Sequence, residues 1–148
     1  MKKDCLFCNS RFRHEKKIVF FEDHYFFAVP DLFPVTTGHV LIIAKKHYSD
    51  FFTLPEAERK KIGDLIFNVG KLLQKTFACD GINVVVNNGR VAGQEIEHFH
   101  VHLVPRLSGD TKQTGGGVFS CFTKNEISKS EQILCAEKLK LNLNNFKN

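Results

Sequence analysis

Apolar positions along the chain change their period several times, and each change marks an element. Ile18-Val19-Phe20-Phe21 and Tyr25-Phe26-Phe27-Ala28-Val29 are short aromatic and β-branched runs separated by Glu22-Asp23, the composition of a β-hairpin. Asp31 to Gly38 reads as a loop, and Val40-Leu41-Ile42-Ile43 as a short buried strand ending at Lys45-Lys46-His47. Thr53-Leu54-Pro55-Glu56 combines a capping-box pattern with a proline near the first turn, which predicts a helix start. Ile62, Leu65, Ile66, Val69, Leu72 and Leu73 keep helical spacing up to about Phe77, so this long helix presents an apolar stripe to a sheet. Asp80-Gly81 turns into a strand over Ile82 to Val86, and Asn87-Asn88-Gly89 breaks it. Strict alternation then predicts a neighbouring strand over Ile96 to Val104. Ser108 to Gly117 is a polar, glycine-rich loop, and Thr123-Lys124-Asn125-Glu126 predicts the start of a second helix. Ile133, Leu134, Leu139, Leu141 and Leu143 fit a docked amphipathic segment loosely, with a frayed end over Asn142 to Asn148. Neither an internal repeat nor a linker interrupts this order.

With 148 residues, 43% of them hydrophobic, the chain suits one compact domain over residues 1–148 that buries roughly two thirds of its unfolded surface. No apolar run approaches the roughly 20 residues that span a bilayer, and Met1-Lys2-Lys3-Asp4 leads into cysteines rather than a signal-peptide core. A cytoplasmic protein without a membrane partner is the expectation. Five cysteines, with Cys79, Cys121 and Cys135 scattered, do not form a secreted disulfide framework, so reduced thiols are expected. The net charge of +5 favours anionic ligands. Because the lysines are spread out rather than gathered in a stripe, nucleic acid is not the expected partner.

Within the last predicted strand, His98, His100 and His102 alternate with Phe99, Val101 and Leu103. On an extended backbone the apolar set faces a core, while the histidines stand in an exposed row roughly 7 Å apart. Imidazole ligates metals, acts as a nucleophile, exchanges protons near neutrality and donates hydrogen bonds to anions, and neighbouring histidines can divide these roles. Just upstream, Asn87-Asn88-Gly89-Arg90-Val91-Ala92-Gly93-Gln94 supplies glycines for close backbone approach and amides that bind phosphate oxygens without adding charge. Near the start, Cys5-Leu6-Phe7-Cys8 has the spacing that lets two sulfurs reach one tetrahedral zinc. The remaining ligands would come from His14, His24, His39, His47, His98, His100 and His102, among which spacing alone does not choose.

His98-Phe99-His100-Val101-His102-Leu103-Val104 resembles the histidine-triad signature of the HIT superfamily of nucleotide hydrolases and transferases. Glu22-Asp23, Phe27-Ala28, Asp31, Pro34-Val35, Gly38-His39, Lys45-Lys46-His47, Asn88-Gly89, Ala92-Gly93-Gln94 and Pro105-Arg106 fall in family order. The likeness covers about residues 5–107, leaving a C-terminal loop and helix over 108–148, and it is greatest to the zinc-binding bacterial proteins of the Hint-like branch. It implies an α+β fold, a five-stranded antiparallel sheet packed by one long helix, two-fold joined into a homodimer. It also implies a structural zinc on Cys5, Cys8, His47 and His98. His100 would be the nucleophile, forming a nucleotidyl-imidazole intermediate at the α-phosphate of a purine nucleotide or nucleotide conjugate. His102, Asn87 and the backbone around Gly93 and Gln94 would contact the phosphate, and Asp31 the ribose hydroxyls.

Three positions depart from the family pattern. Glu95 stands where a serine or threonine is common, Phe33 replaces a polar residue before Pro34, and Asn9 to Glu15 is more polar than usual. The implied activity is hydrolysis of nucleoside phosphoramidates or related conjugates. The alternatives are a dinucleoside polyphosphate hydrolase and a nucleotide-binding regulatory protein with little turnover. A zinc-stabilised structural or nucleic-acid-binding module would leave the glycine loop unexplained.

Overall fold

A computed structural model describes residues 5–9, 15–110 and 126–144. Most of the polar stretch after Asn9, His14, the glycine-rich loop beyond Asp110, Thr123 to Asn125 and the last four residues lie outside the described residues.

Among the described residues there are five strands, β1 (Phe21–Glu22), β2 (Phe26–Pro30), β3 (Val40–Ala44), β4 (Gly81–Val85) and β5 (His100–Arg106), and two α-helices, α1 (Glu56–Phe77) and α2 (Lys129–Asn144). The strands form one antiparallel sheet in the order β1-β2-β3-β5-β4. The architecture is the expected α+β one. At the β1–β2 turn, the Asp23 carboxylate accepts from the backbone N–H groups of Tyr25 and Phe26 at 2.8 and 2.7 Å, an Asx turn that explains the break in the apolar run.

Val40–Ala44 is apolar at every position because the centre of the sheet is covered on both faces. Ile62, Leu65, Val69, Leu72 and Leu73 of α1 cover one face, packing on Phe26, Ala28, Val40, Ile42, Val101 and Leu103. On the other face, Phe27, Val29, Leu41 and Ile43 pack under Cys5, Phe7, Cys8, Ile18 and Val19. The N-terminal segment is thus a second layer, and it lies over the face that carries the histidines.

Three local expectations are corrected. The capping box at Thr53 belongs to a one-turn 3-10 helix over Phe51–Thr53 whose cap is Asp50; α1 starts after Pro55 without a side-chain cap. The second helix starts beyond Glu126, where Ser128 Oγ accepts from Glu131 N at 3.2 Å and Glu131 Oε2 accepts from Ser128 N at 2.8 Å, a reciprocal box. Gln132 docks α2 by donating to Pro30 O at 2.7 Å, with Ala136 and Leu139 buried beside it, while Leu134 and Leu141 face solvent. Finally, β5 begins at His100 rather than Ile96, because His98 N turns back to Ile96 O at 2.7 Å and Phe99 N bonds Tyr48 O at 2.7 Å.

Gly38 closes the turn into β3 at φ +87, and any side chain there would meet the Phe77 ring at 2.7 Å. No helix among the described residues is long and apolar enough to cross a membrane.

Candidate active site and metal centre

The β5 alternation buries Phe99, Val101 and Leu103 against α1 and leaves His100 and His102 together on the opposite face, ring centroids 4.9 Å apart. The row is not exposed, however. His98 is fully buried and His100 is 7% exposed, because the Cys5–Cys8 segment covers them: the Phe7 ring meets His98 and His100 edge-on at 5.6 and 5.3 Å. The turn before β5 also separates His98 from its neighbours and delivers it to a different centre.

That centre brings together Cys5, Cys8, His47 and His98, whose donor atoms lie within 4.8 Å of one another. His98 Nδ1 is 3.3 Å from Cys5 Sγ, 3.6 Å from Cys8 Sγ and 3.3 Å from His47 Nδ1, and Cys8 Sγ is 3.4 Å from His47 Nδ1. Bonds of about 2.3 Å to sulfur and 2.0 Å to nitrogen place the donors of a tetrahedral zinc roughly 3.3 Å (N to N), 3.5 Å (N to S) and 3.8 Å (S to S) apart. The separations therefore match the edges of that tetrahedron. His98 Nε2 donates to Ala44 O at 2.8 Å, which leaves the Nδ1 lone pair aimed at the cluster, the arrangement that orients metal-bound histidines. Burial, only partly countered by the bond to Ala44 and reinforced by the His47 and His100 rings, holds the His98 pKa down to about 4, so the ring stays in its neutral, ligating form. Both cysteines are buried and unpaired by disulfides.

A cavity of about 490 Å³ opens beside this centre, walled by Leu6 and Phe7, by Leu32 and Phe33, and by Ile96. Asp31, His39, Asn87, Gly93, Glu95, His100 and His102 supply its polar lining. Two imidazoles in it are held in opposite tautomers. His100 Nδ1 lies 2.7 Å from His98 O, so it carries the proton, and Nε2 keeps its lone pair. Burial pushes the His100 pKa below the usual histidine value, against the pull of the His98 carbonyl and the Asp31 and Glu95 carboxylates. His39 Nδ1 accepts from Val35 N at 3.2 Å, so its proton sits on Nε2, 3.0 Å from His102 Nδ1 and 3.4 Å from Asp31 Oδ2. His102, accepting at Nδ1, carries its own proton on Nε2. An imidazole base and an imidazole donor thus stand side by side on one strand.

The loop before β5 is built by Gln94. Its side chain is buried, accepts from Gly89 N at 2.7 Å and donates to Ser49 O and to Ile96 O at 3.1 Å. Gly93 closes a 3-10 turn over Arg90–Ala92 at φ +86, and its carbonyl accepts from Asn87 Nδ2 at 3.3 Å. Of the residues expected to contact substrate, Asp31, Asn87, Gly93 and His102 line the cavity, whereas Gln94 uses its side chain inside the loop and its backbone N–H bonds Gly89 O at 3.1 Å. Sequence alone gives His39 as one of seven histidines and as part of the Gly38-His39 pair in family order, with no role of its own. Its place beside His102 follows from the β3–β5 register, in which Leu41 faces His102, and single-strand periodicity does not carry that. Glu95 and Phe33, two of the three departures from the family pattern, both line the cavity.

Residues 13–109 match the model of the HIT domain. An uncharacterised HIT-like protein of Methanocaldococcus jannaschii is 40% identical over 127 residues, covering 84% of this chain and 96% of its own. An adenylylsulfatase of Arabidopsis thaliana is 31% identical over 138 residues, covering 93% of this chain and 70% of its own. Among solved structures, a hypothetical histidine triad nucleotide-binding protein of Sulfolobus tokodaii superposes with a TM-score of 0.80 at 30% identity, over 97% of this chain and 94% of that one.

Proposed function

Because the chain belongs to the HIT domain family, we propose that it is a nucleotide hydrolase that cleaves nucleoside phosphoramidates and related conjugates at the α-phosphate, with His100 as nucleophile. The observation that carries this reading is the pair of opposed tautomers in one cavity. His100 Nε2 attacks phosphorus, the bond from phosphorus to the leaving nitrogen breaks, and that nitrogen departs as an amine after taking up a proton from water. Water then cleaves the nucleotidyl-imidazole bond, releasing the nucleoside monophosphate and restoring His100. Covalent catalysis divides one hard displacement into two easier ones. The His102 N–H, with Asn87, stabilises charge on the phosphoryl oxygens. Asp31 at the rim binds the ribose hydroxyls, and Leu6, Phe7, Leu32 and Ile96 provide apolar walls for a purine.

Cys5, Cys8, His47 and His98 would hold a structural zinc, which contributes folding free energy. Leu6 and Phe7 lie between the two cysteines, so a metal held there would also fix them as a cavity wall. A second reading, cleavage of adenylyl sulfate, draws on the name of the Arabidopsis relative; only the leaving group differs. For the assembly we propose a two-fold homodimer. Among the described residues β4 pairs only with β5, leaving a sheet edge on which Val84 is exposed, and Phe67 of α1 is exposed as well. A monomeric mass in solution would refute it.

The test of the chemistry is turnover of an adenosine phosphoramidate, adenylyl sulfate and a diadenosine polyphosphate by wild type and His100→Ala, with mass spectrometry of quenched protein. Wild type should release mononucleotide and show an adenylyl adduct on the His100 peptide; the variant should lose the adduct and slow by a thousandfold or more, about the loss seen when a catalytic nucleophile is removed. Undiminished turnover in His100→Ala would overturn the assignment. Tight nucleotide binding without turnover of any substrate would point to a regulatory protein instead.

A further inference from the structure

Both carbonyls that flank Asp31 are held from the C-terminal segment, beyond the residues 13–109 that match the HIT domain. Gln132 Nε2 donates to Pro30 O at 2.7 Å, and Ile127 N donates to Leu32 O at 3.1 Å. The Asp31 N–H donates to His39 O at 2.9 Å, so the main chain is tied on each side of this residue. The side chain follows the main chain, because Asp31 Oδ1 accepts from Phe33 N at 3.0 Å. Gln132 is fully buried, where an unpaired amide would be costly. Lys129 Nζ, which can only donate, lies 3.3 Å from Gln132 Oε1 and pairs with Glu15 Oε2 at 2.5 Å. The amide nitrogen is therefore the atom that faces Pro30. Ala136 and Leu139 already bury the apolar side of α2, so the amide contributes direction rather than area.

We propose that Gln132 is a positioning residue that acts through the main chain at Pro30 and Asp31, holding the Asp31 carboxylate where it selects ribonucleotide conjugates over those that lack the ribose hydroxyls. This rests on the hydrolase reading above, in which Asp31 binds the ribose, and names the sugar chosen by the same site. Hydroxyls donate to a carboxylate over a narrow range of about 2.5–2.7 Å, and a displacement of about 1 Å in a positioning group costs about a hundredfold in rate. Loops carry binding groups but move more than the elements they join. Asp31 stands on such a loop, between β2 and β3. The bonds from Ile127 and Gln132 restrict that motion from outside the cavity, since neither residue lines it.

The experiment measures kcat and KM for the 5′-phosphoramidates of adenosine and of 2′,3′-dideoxyadenosine, made with the same amine, in wild type and Gln132→Met. Methionine keeps the bulk of glutamine and removes the donor. Ile127→Pro, which removes the other donor just ahead of α2, decides the matter if Gln132→Met does not fold. Wild type should favour the ribose substrate by roughly 10- to 150-fold in kcat/KM, the range of a hydrogen bond to a charged group. Either variant should lower that preference by about fivefold or more, with the loss falling on the KM of the ribose substrate. Asp31→Asn should lower the preference too, and adding Gln132→Met to it should change the ratio no further, as for two residues that act through one group. A merely structural role would lower the thermal midpoint without moving the ratio between sugars. If the folded variant keeps the wild-type preference, or if wild type hydrolyses both substrates equally well, the hydrolase reading stands and the role of Gln132 is overturned. If wild type turns over neither substrate, both readings fall together.

Discussion

Withdrawing metal from Cys5, Cys8, His47 and His98 should destabilise the protein and deform the substrate cavity at the same time. The donors already stand 3.3 to 3.6 Å apart where measured across the cluster, so binding needs little rearrangement and nearly all of its free energy adds to folding. A ligand at one hundred times its dissociation constant stabilises the fold by about 2.7 kcal/mol. For a chain of this size each kcal/mol moves the midpoint by roughly 2–4 °C, so a strong chelator should lower Tm by about 5–11 °C relative to protein in such a zinc buffer. Every further decade of free zinc should add about 1.4 kcal/mol. Cys5→Ala removes one donor and should abolish stoichiometric zinc, which elemental analysis reads directly at about one ion per chain. Scanning fluorimetry across buffered zinc concentrations supplies the slope. Because the Cys5–Cys8 turn carries Leu6 and Phe7 into the cavity wall, chelation should also raise KM. A Tm independent of zinc, or native protein without zinc, would refute the reasoning.

His39→Ala should lower kcat by roughly 5- to 150-fold, since losing the bond that holds His102 in one tautomer and orphaning Val35 N costs about 1–3 kcal/mol; an unchanged kcat would exclude a positioning role. The acid limb of kcat/KM should lie below pH 6.5, because burial depresses the His100 pKa and keeps the nucleophile neutral. The same shift has a defined sign in stability: below about 6.5 the unfolded chain takes up a proton that the folded His100 refuses, so stability falls as pH drops through that window. An apparent kinetic pKa above 6.5 would contradict both statements. Gln94→Ala orphans Gly89 N and the Ser49 and Ile96 carbonyls, and should cost about 2–4 kcal/mol in chemical denaturation; a loss below about 0.5 kcal/mol would show that water replaces those bonds at no cost.

How far the fold was legible depended on whether a pattern was local. Val40–Ala44 declared itself by being apolar at every position, and α1 by a stripe from Ile62 to Leu73 that packs as its spacing requires. Capping was less readable, since Thr53-x-x-Glu56 and Ser128-x-x-Glu131 both satisfy the box and only the second caps the helix that follows. What separates them is Asp50, which reaches the Phe51–Thr53 turn first and takes Thr53 as its own partner.

The same distinction governs the site. Period-two alternation correctly put Phe99, Val101 and Leu103 in the core, but it treated His98 as equivalent to His100 and His102. A single backbone bond, His98 N to Ile96 O, holds His98 in a turn so that the strand begins only at His100, and its imidazole joins the cysteine cluster. Periodicity cannot report such a turn, because it is set by the loop that Gln94 anchors. His39 illustrates the converse: its partner is 63 positions away, and only the β3–β5 register places it where it fixes the His102 proton. The proposed nucleophile, His100, lies in a motif visible along one strand, and its tautomer is set two residues away by His98 O, whereas its burial and charge environment also draw on Cys5–Cys8, Asp31 and Glu95. Chemistry of this family can therefore be read from β5, but selectivity cannot. Glu95 and Phe33 depart from the pattern along the sequence, and only the fold shows that both share a cavity with His100.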